Sequence, residues 1–151
     1  MRFMGLDVGD KTIGIAISDE LGISANPITV IRRMGSLKRE IGEICRIAEE
    51  YEVGRIIVGM PLMLDGTVGI QAEKVIAFAD ALRRRTKVTV VMWDERLTTA
   101  EIERMLIASD QSRAKRKRVV DKLAAALILQ SYLDRQRASV SSGNERNGDA
   151  E

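Results

Sequence analysis

Two seven-residue apolar alternations, RFMGLDV at 2–8 and TIGIAIS at 12–18, are separated only by Gly9, Asp10 and Lys11. That link is hairpin-like, with Gly and Asp supplying the turn, so the chain opens on an antiparallel pair of strands. Everything after it must accommodate that pair. Residues 27–32 (PITVIR) read as a third strand, with Pro27 at the first position, where a missing N–H is tolerated. Residues 36–52 have helical spacing, with Leu37, Ile41, Ile44, Ile47 and Ala48 on one stripe, Ser36 as N-cap and Gly54 as terminator. RIIVGM at 55–60 is an apolar run that suits a strand buried on both faces. A loop from Pro61 to Gly69 follows, with Asp65-Gly66 as its turn signal.

Residues 70–85 return to helical spacing and end in Arg83, Arg84 and Arg85, which suit a helix C-terminus. KVTVVMW at 87–93 is a further buried strand. A helix is expected over 98–108, capped by Thr98 or Thr99, and a strong one over 119–135, with a polar, basic and mobile segment between them. Strands alternating with helices imply a parallel portion beside the antiparallel one. The expected architecture is therefore α/β: one domain over 1–136 with a mixed five-stranded sheet, three antiparallel strands then two parallel, flanked by helices. Residues 137–151 lack large apolar side chains apart from Val140 and read as a disordered tail.

Composition removes several kinds of chemistry. Of the 151 residues, 45% are apolar and 30% charged, an ordinary balance for a globular domain. No apolar run is long enough to span a bilayer, and Asp7 and Asp10 interrupt the N-terminus where an export signal needs continuous apolarity, so a cytoplasmic protein is expected. Cys45, the only cysteine, falls on the apolar side of its helix and reads as packing. Histidine is absent, which excludes a Ser-His-Asp triad, a Cys-His pair and histidine-ligated zinc. Acid–base work is left to carboxylates, lysine, tyrosine or metal-bound water, an inventory that suits Mg²⁺ or Mn²⁺.

Three carboxylates stand in surroundings unsuited to an ordinary surface acid. Asp7 sits inside an apolar strand, on the same face as Phe3 and Gly5, with Gly5 and Gly9 leaving room for a ligand. Its alternative role is to bond the hairpin turn. Glu95 follows a buried strand, where open α/β sheets place ligands; Asp94 beside it competes for the same role, and either acid is also a candidate cap for the next helix. Asp121 heads the stripe Ala125, Ile128, Leu129 and Tyr132, and there it either serves the site or offsets the helix dipole. Together the three suit phosphodiester hydrolysis by a pair of divalent ions about 4 Å apart. Lys11, Arg96 and the run Arg113, Lys115, Arg116, Lys117 and Arg118 are candidate phosphate contacts, with a solvated surface loop as the plain alternative for the run.

The segments GLDVGDKTIGIAISD, IIVGMPLMLDGT, WDERLTTAEIERML and KRKRVVDKLAAALILQSYLD occur in an order that closely resembles the YqgF (RuvX) family, over about residues 2–135. That family is described as a pre-16S ribosomal RNA nuclease and as Holliday junction resolvase-like. The resemblance implies a ribonuclease H-like fold, with Asp7, Glu95 and Asp121 at the acidic site positions. It implies maturation of the 5′ end of small-subunit ribosomal RNA, or a DNA junction endonuclease as the alternative. Partners would be structured RNA, DNA junctions or ribosomal precursor particles. Gly59, Pro61, Leu62, Asp65 and Gly66 match the family's loop motif and imply a site-lining loop, with Asp65 as a possible additional ligand.

Two other readings compete. DVGDKTIGIAISD also resembles the phosphate-binding hairpin of sugar kinases and actin-like ATPases, but those enclose ATP between two such domains and this length supplies one. A non-catalytic nucleic-acid-binding factor in transcription or ribosome assembly would use the basic run equally well. Clustered carboxylates count against it, because acids repel phosphate unless a metal intervenes. With one Trp, two Tyr and two Phe, base stacking is a poor basis for sequence readout, so recognition by shape and backbone is expected.

Overall fold

The computed structural model describes residues 1–96 and 123–139. Five strands form one sheet in the order β3-β2-β1-β4-β5: β1 Arg2–Val8, β2 Thr12–Ser18, β3 Ala25–Arg32, β4 Val53–Met60 and β5 Thr89–Asp94. β1 to β3 are antiparallel neighbours, while β1–β4 and β4–β5 are parallel. Helix α1 (Leu37–Glu50) links β3 to β4, and α2 (Ile70–Arg85) links β4 to β5. Residues 123–139 are helical and are called α3 below. The mixed five-stranded sheet flanked by helices is the architecture the sequence implies. Among the described residues no helix is long and apolar enough to cross a membrane.

Strand alternation sorts the core into two layers. Met4, Leu6 and Val8 of β1 join Ile13, Ile15 and Ile17 of β2 and Ile56 and Val58 of β4 beneath α1 and α2. The opposite face carries Ala16 and Ile57, and on it pack Ala125, Ile128, Leu129, Tyr132 and Leu133 of α3. This second face is built from small residues. A Cβ added at Gly5 would stand 2.7 Å from Leu129 Cβ and 2.8 Å from the Ala125 carbonyl oxygen, so α3 rests directly on the β1 backbone.

Several boundaries differ from the sequence expectation. β3 begins at Ala25, two residues before Pro27, and its register with β2 shifts between Ile15 and Ala16, so Pro27 sits at an irregularity rather than at the strand's first position. A bulge at an edge strand is where a residue without an N–H costs little. Ser36 does cap α1, accepting from the Arg39 N–H at 3.3 Å. The helix ends at Glu50, however, with Glu52 in the left-handed region (φ 54°), and Gly54 lies within β4 instead of terminating α1. The 36–52 stripe also buries Glu40, while Leu37 is exposed. Finally, the last helix runs to residue 139, past the expected helix end at 135. Residues 140–151 lie outside the described residues, as do the expected helix at 98–108, the basic segment at 109–118 and the start of the 119–135 helix.

Candidate active site

The candidate site lies on the α3 face, at the C-terminal ends of the parallel strands β1, β4 and β5. Asp7 is the last residue of β1 to face this way, continuing the Phe3 and Gly5 side. It pairs with Gly14 across β2, and a Cβ on Gly14 would come 3.7 Å from Asp7 Cβ and 3.4 Å from Ala125 Cβ. Gly14 and Gly5 therefore let α3 pack close beside Asp7. Gly9 lies past the strand, where its N–H closes the turn on the Thr12 carbonyl at 2.9 Å.

Glu95 reaches the same face from the end of β5. Val91 and Trp93 face α3, so the residue two further on points the same way. The Glu95 N–H donates to the Met60 carbonyl at 3.3 Å, which keeps the residue beside the end of β4. Its carboxylate then lies over Gly59, where an added Cβ would meet Glu95 Oε2 at 2.6 Å and Ile128 Cδ1 at 2.6 Å.

Glu95 is an abnormal acid. Burial, then the Asp7 carboxylate, then the Asp94 carboxylate push its pKa up to about 7. The first cause says it is held away from water, and the second says Asp7 is near enough to repel it. Asp94 is ordinary by comparison. It accepts from the Arg96 backbone N–H at 3.0 Å and from the Arg96 guanidinium at 2.6–3.0 Å, and these bonds hold it below the usual carboxylate range. Asp94 thus shapes the turn into the next segment, while Glu95 faces Asp7.

The remaining expected residues divide. Lys11 is exposed on the hairpin turn. Arg96 has its fork occupied by Asp94 and reaches the Leu64 carbonyl at 3.4 Å, so it braces the 61–69 loop. Gly66, at φ 87°, lets that loop turn beneath Arg96 Nη1. Asp65 accepts from the N–H and hydroxyl of Thr67 at 3.0 and 2.7 Å, which lowers its pKa and makes it a turn residue. Gly59 floors the Glu95 carboxylate, and Pro61 and Leu62 are half-buried where the loop leaves β4. Asp121, Arg113, Lys115, Arg116, Lys117 and Arg118 lie outside the described residues. Among those described, no group of three or more His, Cys, Asp or Glu side chains is assembled to hold a metal. Gly14 is the residue that sequence reasoning missed. A lone glycine inside a strand is a visible signal of close approach.

The comparisons with known proteins agree with this architecture. The family model described as "RuvX: Holliday junction resolvase" matches residues 1–135. The chain belongs to the RuvX family. It is 53% identical over 134 residues to the "Putative pre-16S rRNA nuclease" of Desulforamulus reducens, covering 89% of this chain and 97% of that protein. It is 55% identical over 138 residues to the protein of the same name from Thermoanaerobacter pseudethanolicus, covering 91% and 99%. Among solved structures it is similar to Thermus thermophilus RuvC in complex with a Holliday junction substrate, with a TM-score of 0.58 and 12% identity over 91% of this chain and 96% of that one. A second Thermus thermophilus RuvC structure gives a TM-score of 0.52 at 13% identity, covering 90% and 96%. At such identities the likeness to RuvC concerns the fold, which is ribonuclease H-like. Membership of the RuvX family makes this chain a member of a family of phosphodiester-cleaving enzymes.

Proposed function

We propose that this RuvX-family chain is a divalent-metal-dependent nuclease that trims the 5′ end of pre-16S ribosomal RNA in the cytoplasm. One observation carries the reading. Asp7, on β1, and Glu95, just past β5, are brought onto a half-buried, glycine-floored surface where the Asp7 charge helps raise the pKa of Glu95. Like charges are rarely gathered this way in a fold unless a cation is meant to share them.

The donor set fits a hard cation. It consists of carboxylate oxygens, from a chain without histidine. Asp7 and Glu95 would hold Mg²⁺ or Mn²⁺, and Asp121 is the third candidate ligand. It precedes by four residues Ala125, the α3 residue that packs beside Gly14. Three carboxylates suit a pair of ions, which when bound would activate water and stabilise the leaving oxygen. The chain's own part is to fix the two carboxylates on rigid strands and to keep bulk water partly away from Glu95. Lys11 and the run Arg113, Lys115, Arg116, Lys117 and Arg118 are the candidate phosphate contacts, with Arg96 a lesser one because Asp94 occupies its fork. Asp65, spent on Thr67, is not needed as a ligand.

The names carried by the relatives favour ribosomal RNA precursor, free or in precursor particles, as substrate. The family description favours a four-way DNA junction as the second candidate. A cleavage assay on both, with Mn²⁺, Mg²⁺ or EDTA, for wild type, Asp7→Asn, Glu95→Gln and Asp121→Asn, tests the reading. Metal-dependent cutting that all three substitutions abolish is expected. Tight binding of both substrates without cutting in either metal would overturn it in favour of a non-catalytic binding factor.

A further inference from the structure

Arg33 stands one residue past β3, and its polar contacts converge on the turn that follows Asp7. Its backbone N–H donates to the Lys11 carbonyl at 2.9 Å, and its Nη1 donates to the Gly9 carbonyl at 2.8 Å. Both residues flanking Asp10 are therefore held by one side chain and its own backbone. The other edge of the guanidinium meets Glu40 of α1. Nε donates to Oε1 at 3.1 Å, and Nη2 lies 3.1 Å from Oε2. Its Cζ lies over the Phe78 ring of α2, 5.6 Å from the centroid.

Glu40 makes this arrangement costly. Its side chain is only 6% exposed, and Oε2, although close to Arg33, makes no hydrogen bond. A buried ion pair generally loses more in desolvation than its attraction returns, and an apolar pair of similar size would hold α1 to the sheet at least as well. An apolar pair cannot supply direction. The carboxylate orients the planar fork, the Phe78 ring packs beneath it, and Nη1 is left aimed at Gly9. Gly9 is two residues beyond Asp7, and Lys11 two beyond Gly9.

We propose that Arg33, oriented by Glu40, is a positioning residue for the nuclease centre: by holding the Gly9 carbonyl it sets where Asp7 stands relative to Glu95. The inference rests on the Asp7–Glu95 reading above. It extends the centre to the opposite side of the sheet, to a pair of residues that touch neither substrate nor metal.

The test uses the full chain and follows three readouts: Mn²⁺ affinity by titration, the melting temperature, and kcat and KM for cleavage. The informative variant is Arg33→Met with Glu40→Met, which removes the side-chain bond to Gly9, keeps the backbone bond to Lys11 and leaves no buried charge. A melting temperature near that of wild type is expected, with Mn²⁺ affinity and kcat each lower by about tenfold or more and KM changed less than about twofold. Wild-type Mn²⁺ affinity and kcat in that variant would overturn the proposal, because a merely structural pair is replaceable. Should the double variant fail to fold, Glu40→Gln retains an acceptor for Nε but gives up the charge. Weaker Mn²⁺ binding at an unchanged KM is then expected, and unchanged binding overturns the idea. Asp7→Asn separates the two levels of the argument. If it leaves Mn²⁺ binding intact, the centre itself is wrong and the clamp falls with it. If it abolishes binding while the Arg33 and Glu40 variants bind normally, only the clamp is wrong.

Discussion

The carboxylate of Glu95 lies against the backbone of Gly59, so closely that a methyl group on Gly59 would stand 2.6 Å from Oε2. The same methyl would meet Ile128 Cδ1 at 2.6 Å, which leaves it little free direction. Gly59→Ala is therefore expected to displace the side chains of Glu95 and Ile128. Cleavage should fall by about tenfold or more, since displacements near 1 Å at a catalytic group are costly. Stability should change little, because both atoms are the far ends of flexible side chains that can move aside. Parallel urea melts and rate measurements check both, and a variant with unaltered rate would show that Glu95 does not depend on this contact.

Stability should depend on pH through Glu95. Its pKa is about 7 in the folded protein against 4.5 for a free glutamate, so the folded state binds its proton more tightly than the unfolded state. Below 4.5 both states are protonated and the group contributes nothing. As pH rises from 4.5 to 7 the unfolded chain releases the proton first, and stability falls. Above 7 the penalty is complete, at roughly 2–3 kcal/mol after allowance for partial exposure. Urea melts in chelator at pH 4 and pH 8 test this. Glu95→Gln should stay close to wild type at pH 4 and exceed it at pH 8, and an equal difference at both values would show that Glu95 titrates normally.

Gly5→Ala should be more disruptive than its chemistry implies. The new methyl would press on Leu129 Cβ at 2.7 Å and on the Ala125 carbonyl oxygen at 2.8 Å, and one of those atoms belongs to backbone. Either α3 lifts from β1 or the strand shifts. A loss of about 1–3 kcal/mol, and occasionally more, is expected from overpacking of this kind. Retained stability would mean that α3 sits less tightly on β1 than described here.

Asp65 offers a contrast within the loop. Its contacts to Thr67 define a turn, so Asp65→Asn, which keeps an acceptor oxygen, should retain cleavage within about twofold. Asp65→Ala should loosen the loop and weaken substrate binding more than the chemical step. A collapse of kcat in Asp65→Asn would instead make Asp65 a metal ligand.

Much of this molecule was legible in the chain. β1, β2 and α2 fall on the residues their patterns indicate, because alternation over seven residues and a long amphipathic stripe are local signals. Ends were less legible. Nothing in the sequence shows that Glu52 adopts a positive φ and releases α1 before Gly54, or that a register shift accommodates Pro27, since both answer to the neighbouring strand.

The site divides in the same way. Sequence alone marked Asp7 as an acid out of place, put it on the face of Phe3 and Gly5, and excluded histidine chemistry. It could not choose between Asp94 and Glu95, because adjacent residues on a strand end point to opposite faces, and only the pairing of β4 with β5 decides which face is which. It gave no sign of what approaches Gly14, or that Arg33, held by Glu40, grips the turn after Asp7. Those relations depend on contacts between different elements, such as Ala125 of α3 on Gly14 of β2. Local periodicity specifies which way each side chain leaves its own strand, but the approach of one strand's carboxylate to another's is set by sheet order and by how closely α3 can lie on glycine.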